Sequence, residues 1–377
     1  MRNYYYFFLG TEAELIKTFP VIKEMEDRNI PYRIIASGQN DIRNSRVLQY
    51  ANGGRVDLIL SDEGKIEKTG KGLIRWYFDT RKKAKKMFLN SFPEVRTKTE
   101  NHVMIVHGDT ISTVMGAYLG KRLGMQIAHI EAGLRSHHLF NPFPEEIDRI
   151  LVDRISNILF VPGVQGMRNL KKKKNMNPYD TTCNTLADSL ERSVEVVCED
   201  ETIQSILRED YFVFVLHRQE NMKNDELIHL LMRYLQEAKT KHKCVVILHK
   251  ITQLKLEEIG ILDELKADKR FILLPRVDYF DFMKLLSNAE YVVTDGGSNQ
   301  GELYYMGVPT LIVRESTEQA EGIGENIVLY AGEEERITDF FANYPKYRRE
   351  KKQASCIVSQ YIVDVLESGE SKKHELS

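Results

Sequence analysis

The sequence is poor in the residues that would staple it covalently or through a metal. Its four cysteines, Cys183, Cys198, Cys244 and Cys356, form no CxxC pair and no metal-ligand spacing in 377 residues. That excludes a disulfide framework, and it reads as reduced thiols in a cytoplasmic protein. There is no DxD and no histidine pair at helical spacing, so no metal is expected, and nothing points to a cofactor. Neither GxGxxG nor a Walker lysine motif occurs. Long apolar runs are missing too: Tyr4–Leu9 is far too short for a signal core or a membrane span, and no later run reaches spanning length. A formal net charge of −2, from 53 Lys and Arg against 55 Asp and Glu, gives no pull toward nucleic acid or membrane. The basic runs Arg81–Lys86 and Lys171–Lys174 read as solvated faces.

What the chain does have is alternation. Short apolar runs, each 4–6 residues long and each closed by polar or glycine residues, alternate with stretches at helical spacing. Tyr4–Leu9, Tyr32–Ala36, Val103–Val106, Gln126–Ile130 and Ile158–Val161 form one such set. Tyr211–Leu216, Cys244–Leu248, Phe271–Leu274, Tyr291–Thr294 and Thr310–Val313 form a second. Repeated βα units of this kind predict doubly wound parallel sheets, an α/β fold. The patternless polar stretch after Gln165 places the domain change near it, giving domains of 1–168 and 169–349. A helix over about 350–377 is expected to return to the first domain, with its charged end disordered. Two such domains with facing strand ends would enclose a central cleft.

Chemistry gathers where the strands stop. His107-Gly108-Asp109-Thr110 follows one run, and Glu131-Ala132-Gly133-Leu134-Arg135 follows the next. Pro142-Phe143-Pro144-Glu145-Glu146 then opens a helix. In an open parallel sheet the carboxyl ends of strands face the ligand. Asp109, Glu131 and Glu145 are therefore expected to converge as acid/base groups, with His129, His137 and His138 nearby. One strand-end acid alone would be an ordinary helix cap; three together argue for chemistry. Near the start, Thr11 and Lys17 suit an anion at a helix N-terminus.

The second set carries Asp295-Gly296-Gly297-Ser298-Asn299-Gln300-Gly301-Glu302. Glycines after a strand let backbone N–H groups approach a phosphate, and the helix dipole adds to this. Ser298 can donate, and Glu302 can accept from ribose hydroxyls. His217 and Arg218 close the most apolar strand of this half and suit a diphosphate or a proton-transfer role. A nucleoside diphosphate with an attached group fits these features, with cations and dipoles stabilising the leaving phosphate.

These motifs, in this order, resemble the UDP-N-acetylglucosamine 2-epimerase family, especially its bacterial non-hydrolysing branch. Gly10-Thr11 with Glu14, Lys17 and Pro20 is similar to the family's GTRPE element. HGDT, EAGLR and P-x-PEE with Arg149 match further blocks. Cys183-Asn184-Thr185 stands at its GNT, and His217-Arg218 with Glu220-Asn221 at its HR-x-EN. Asp278-Tyr279 with Phe282 resembles the segment packing on uracil. Asp295–Glu302 stands at DSGG-x-QEE, and Thr317-Glu318 with Glu321 at TERPE.

The resemblance implies two Rossmann-like domains facing a central cleft, a glycosyltransferase-B-like fold, and a homodimer acting on a UDP-sugar. It implies inversion at sugar C2 by elimination of UDP to a glycal and re-addition, in the synthesis of cell-surface polysaccharide precursors. By position, the catalytic set is Asp109, Glu131, Glu145 and His217. The UDP-sugar would be bound by Lys17, Arg135, Arg218, Tyr279, Phe282, Gly296, Gly297, Ser298 and Glu302. The sequence departs from the pattern at Glu12, where the family has arginine, at Ala13, at the displaced Ser298, at Gly301 and at Gln319. Two positive charges are thereby lost, and at an effective dielectric of about 20 each matters to a phosphate by a few kcal/mol. These departures leave the sugar open. The alternatives are a hydrolysing epimerase releasing ManNAc and UDP, a glycosyltransferase on the same fold, and a nucleotide-sugar-binding protein without turnover.

Overall fold

The strands are buried on both faces, and their sequences show it. All five residues from Tyr5 to Leu9 are at most 1% exposed, the near-continuous apolar run of a parallel strand covered on both sides by helices. The structure, a computed structural model, describes residues 3–62, 70–97, 100–137, 144–170, 176–237, 242–317, 319, 321–352 and 357–368. The chain divides into two units, Met1–Ser189 with Ala354–Ser377, and Leu190–Gln353.

The first unit holds seven strands: β1 Asn3–Leu9, β2 Tyr32–Ala36, β3 Leu58–Ile59, β4 Asn101–His107, β5 Gln126–Ile130, β6 Ile158–Val161 and β7 Asn177–Asp180. They form one parallel sheet in the order β3-β2-β1-β4-β5-β6-β7. The second unit holds β8 Tyr211–Val215, β9 Lys243–Leu248, β10 Phe271–Pro275, β11 Val292–Thr294, β12 Thr310–Ile312 and β13 Ile327–Leu329. Its parallel order is β10-β9-β8-β11-β12-β13. In each sheet the order reverses beside the first strand of the unit, which makes a switch point there. The switch falls between β1 and β4 in one unit and between β8 and β11 in the other.

The unit boundary differs from the expected change at 168/169. The polar run Asn177-Pro178-Tyr179-Asp180 pairs with β6 as the edge strand of the first sheet. An edge strand needs no apolar face on its outer side, so its sequence carries little pattern. The helix that begins at Leu186 is also tied to the first unit. Its Asp188 carboxylate accepts from the backbone N–H of Val358 and Ser359, capping the C-terminal helix Val358–Ser368. That helix lies against the first helix, where Arg28 pairs with Asp364 at 2.5 Å. It starts at Val358 rather than near residue 350, and Tyr344–Tyr347 is a short 3-10 turn.

The first helix, Glu12–Asp27, runs straight through the Pro20 expected to kink or delay it. Proline cannot donate to the carbonyl four residues earlier. That orphan, the Ile16 oxygen, accepts instead from the Ser189 hydroxyl at 2.7 Å. At its start Thr11 caps the Glu14 N–H while Glu14 returns to the Thr11 N–H, a reciprocal capping box. The helix Gly70–Ser91 buries Trp76 and Phe88, as its spacing predicts, but leaves Phe78 51% exposed. Residues 63–69, the lysine run 171–174 and the C-terminal end past 368 lie outside the described residues.

Candidate active site

Parallel pairing places the ends of β4 and β5 side by side, with His107 opposite Ile130. Gly108, at φ +71°, turns the chain out of β4. Its N–H donates to the Ile130 oxygen at 3.1 Å. Glu131 also sits at φ +67°, in the left-handed region that a non-glycine residue rarely adopts. Strain of this kind persists where the surroundings hold it, and it gathers at functional sites. Here the holders are Lys17, whose Nζ donates to both carboxylate oxygens at 3.0 and 2.8 Å, and His107, whose Nε2 lies 3.1 Å from one of them.

Burial pushes the Glu131 carboxyl up, but the Lys17 ammonium and His107 outweigh it and hold the group well below the usual range. His107 is itself pushed below the usual histidine range, chiefly by burial. Asp109 is gripped by Arg149, with Nε donating to Oδ2 at 2.8 Å. The same arginine approaches Glu146 at 3.5 Å, and Glu146 accepts from the Ser136 N–H at 2.9 Å.

Glu145 opens the helix Glu145–Ile155, and its Oε2 is buried without a hydrogen-bond partner among the described residues. Asp148, 8% exposed, also has an oxygen without a hydrogen-bond partner among the described residues. Burial first, then the charges of Asp109 and Glu145, push its carboxyl up to about 7. Behind this cluster Glu14 is likewise raised to about 7, by burial more than by any other influence. It accepts from the Thr110 hydroxyl and from the Gly10 N–H at 2.5 Å. The first unit thus brings Asp109, Glu131 and Glu145 into one charged neighbourhood.

Three expected placements differ. Lys17, expected on a phosphate, is engaged with Glu131. Arg135, expected on the substrate, turns inward, where its guanidinium meets Asp153 Oδ2 at 2.6 Å and donates to the Leu134 oxygen. Thr11 caps its own helix. His138, Pro142 and Phe143 lie outside the described residues. Arg149 and Asp153 were not expected as site residues. Their signal was present: with Glu145 they fall at i, i+4 and i+8, on one face of one helix.

In the second unit Asp295, fully buried, is the organiser. Its carboxylate accepts from the N–H groups of His217 and Arg218 at 3.0 and 2.9 Å and from Asn221 Nδ2 at 2.9 Å. Burial would raise its carboxyl; these donors and the His217 ring hold it below the usual range. The His217 ring, 3.1 Å from Asp295, stacks on His249 at 4.9 Å. No side chain caps the helix Gly297–Met306. A Cβ on Gly296 would stand 2.2 Å from Asn299 Oδ1 and 3.3 Å from the His217 ring, so glycine keeps this approach open. Gly297 is half-buried and Ser298 exposed. Glu302 is buried and accepts from Asn299 at 3.0 Å. Tyr279 is buried with its hydroxyl pushed well up, by burial first and then by the Glu302 charge. Phe282 is half-buried on the same helix, Tyr279–Ser287. Gln300 donates to the oxygens of Gln319 and Glu321 and accepts from Thr317, fixing that segment beside the glycine turn.

Among the described residues, Asp210, His242 and Glu290 bring ligand-type atoms within 4.8 Å of one another. They lie at the opposite, amino ends of the strands and take no part in this site. No helix among the described residues is long and apolar enough to cross a membrane.

The sequence profile described as UDP-N-acetylglucosamine 2-epimerase matches residues 23–363. The chain belongs to the UDP-N-acetylglucosamine 2-epimerase family. It is similar to the UDP-N-acetylglucosamine 2-epimerase of Methanocaldococcus jannaschii, 30% identical over 343 residues, which span 87% of this chain and 89% of that protein. The solved structure of the UDP-GlcNAc 2-epimerase from the same organism superposes with a TM-score of 0.78 at 26% identity, covering 97% of this chain and 99% of that one. Its complex with UDP-GlcNAc and UDP superposes at 0.75 with the same identity and coverage. The epimerase family's glycosyltransferase-B-like architecture is therefore the fold of this chain.

Proposed function

We propose that this epimerase inverts C2 of a UDP-linked N-acetyl sugar, interconverting UDP-GlcNAc and UDP-ManNAc. Uridine diphosphate is served by the second unit and the sugar by the carboxylates of the first. A carboxylate removes the C2 proton as the C1–O bond to UDP breaks, giving a 2-acetamidoglycal and UDP. UDP then adds back at C1 while a second acid delivers a proton to the opposite face of C2. Glu131, held ionised by Lys17 and His107, suits the base. Glu145, with its partnerless oxygen, suits the acid, and Asp109 is the third member of the set. Lys17 would exchange Glu131 for a substrate phosphate, raising the proton affinity of Glu131 as it must accept the proton.

The observation that carries the reading is the placement of Asp109 and Glu131 at adjacent strand ends, with Glu145 at the start of the helix that packs beside them, in a chain of this family. His217, Arg218, the open turn Gly296-Gly297-Ser298 and Glu302 supply donors and acceptors suited to the diphosphate and ribose, with Tyr279 and Phe282 beside the base. The test is proton NMR of the protein with UDP-GlcNAc in deuterated water. New UDP-ManNAc signals with deuterium at C2 are expected. Free ManNAc with UDP would make it a hydrolysing enzyme, and unchanged UDP-GlcNAc would overturn the assignment of this sugar.

A further inference from the structure

His129 takes no part in the reaction proposed above, yet it is 1% exposed and both of its ring nitrogens are engaged. Nδ1 lies 2.7 Å from Asp153 Oδ1, and Nε2 lies 2.8 Å from the Gly108 carbonyl oxygen. A carbonyl oxygen only accepts. Asp153 also only accepts, because the Arg135 guanidinium at 2.6 Å and the Gly133 N–H at 3.2 Å on its other oxygen hold it as the carboxylate. Two acceptors facing two ring nitrogens require a proton on each.

We propose that His129 is a buried imidazolium that ties the Gly108 carbonyl to Asp153 and so acts as the positioning residue for Asp109. Resting on the epimerase reading, it extends that reading to a group outside the reacting set. The helix Glu145–Ile155 then fixes Asp109 from both ends. Arg149 holds its carboxylate, and Asp153 acts through His129 on the peptide before it. The same Asp153 fixes the loop after Glu131 through the Gly133 N–H and Arg135. The two strand-end loops that carry Asp109 and Glu131 thus share one buried anchor, made of one anion and two cations.

The charges around His129 fit this assignment. Asp153 is held below the usual carboxylate range because His129 and Arg135 outweigh its burial. His107, on the neighbouring strand, goes the other way. Burial first, opposed by Glu131, and then the positive charges of Lys17 and His129 push it below the usual histidine range.

The test uses the full chain labelled with nitrogen-15 in histidine. The His129 resonances are identified by their loss in His129→Gln. Both ring nitrogens are expected to be protonated; one unprotonated, pyridine-like nitrogen overturns the proposal. Two variants then separate positioning from bulk stability. Gln places its amide nitrogen where Nε2 stood and keeps the bond to Gly108, whereas Asn replaces Nδ1 and loses it. His129→Asn is expected to lose about 100-fold in kcat with KM within about twofold, the scale of a small misplacement of a reacting group. His129→Gln should stay within about tenfold of wild type. Hydrogen exchange at the Gly108 amide, bonded to Ile130, should accelerate only in the Asn variant. Equal kcat in both variants, with exchange at Gly108 unchanged, overturns the positioning role. A wild-type protein with no epimerase activity would sink the functional reading alone, and the ring-nitrogen and exchange measurements would still decide this one.

Discussion

Arg149 reaches a single oxygen of Asp109 twice. Its Nε donates to Oδ2 at 2.8 Å, and a terminal nitrogen lies 2.6 Å from the same atom. A fork spent on one oxygen leaves the other carboxylate oxygen turned elsewhere, so the acid is oriented as well as neutralised. Replacing Arg149 by Met is expected to lower kcat about 100-fold, from the loss of orientation, with a smaller change in KM. Both groups are partly exposed, at 20% and 27%, so the stability loss should be only about 1–2 kcal/mol. Steady-state kinetics beside a denaturant melt separates the two effects. A kcat within a few-fold of wild type would remove Arg149 from the site.

The reacting carboxylates should fail in a different way. Asp109→Asn and Glu131→Gln keep size and polarity but remove the proton-transfer group. Each is expected to lower turnover by about 10³ or more, the upper range for general acid–base groups. Binding of UDP, measured by calorimetry, should stay within a few-fold of wild type. Near-normal turnover in both variants would refute the acid/base assignment.

Lys17 and Glu131 give a prediction in pH. The folded carboxyl of Glu131 lies below its ordinary 4.5. It therefore contributes stability above that value, lost as pH falls through the folded one. Lys17→Met removes the strongest attraction opposing burial. The acid limb of the kcat/KM profile, which reports the free enzyme, should move up by about one pH unit or more, and part of the acid resistance of the first unit should vanish. An unmoved acid limb in the Met variant would show that Lys17 does not set the charge of Glu131.

How much of this was legible beforehand divides along physical lines. Asp109 and Glu131 could be read because a buried parallel strand is a continuous apolar run, and the first polar residue after it marks the strand end. The Asp295 turn was legible for the same reason. β7 was not, since an edge strand such as Asn177–Asp180 needs neither apolar face nor length. β3 and β13, of two and three residues, carry too few positions for any period. The inward turn of Arg135 was hidden because its partner, Asp153, lies 18 residues on, across a strand-end loop and a helix. Charge pairing at that separation is set by the fold. The spacing of Glu145, Arg149 and Asp153 on one helical face was the available clue.

Asp148 is a group whose charge the first unit tolerates poorly. Its carboxyl is raised from 3.8 to about 7 by burial and by Asp109 and Glu145. Its favourable contribution is complete below 3.8 and is lost as pH rises through about 7. Asn cannot ionise, so Asp148→Asn should be the more stable protein at about pH 8, by about 1–2 kcal/mol, with the gain gone near pH 4. Thermal melts at the two pH values measure it. A variant less stable than wild type at the higher pH would mean that the Asp148 carboxylate has a favourable partner there.

Asp295 stands at the other extreme, buried yet more acidic than an ordinary carboxyl because its oxygens are filled by donors. Backbone N–H groups of His217 and Arg218 and the Asn221 amide all point at it. Asn221 donates onward to the Val313 oxygen, which ties the end of β8 to the segment after β12. Replacing Asp295 by Asn turns an acceptor-only group into one that must aim an NH2 at other donors. The expected loss is about 2–4 kcal/mol, the range for a buried group left facing like partners. The His217 ring and the glycine turn share this anchor, so UDP affinity should fall with stability, whereas Asp109→Asn should leave UDP affinity within a few-fold of wild type. Calorimetric titration of UDP into the two variants makes the comparison. Equal affinity in both would mean that the second unit holds the diphosphate without the loop that Asp295 organises.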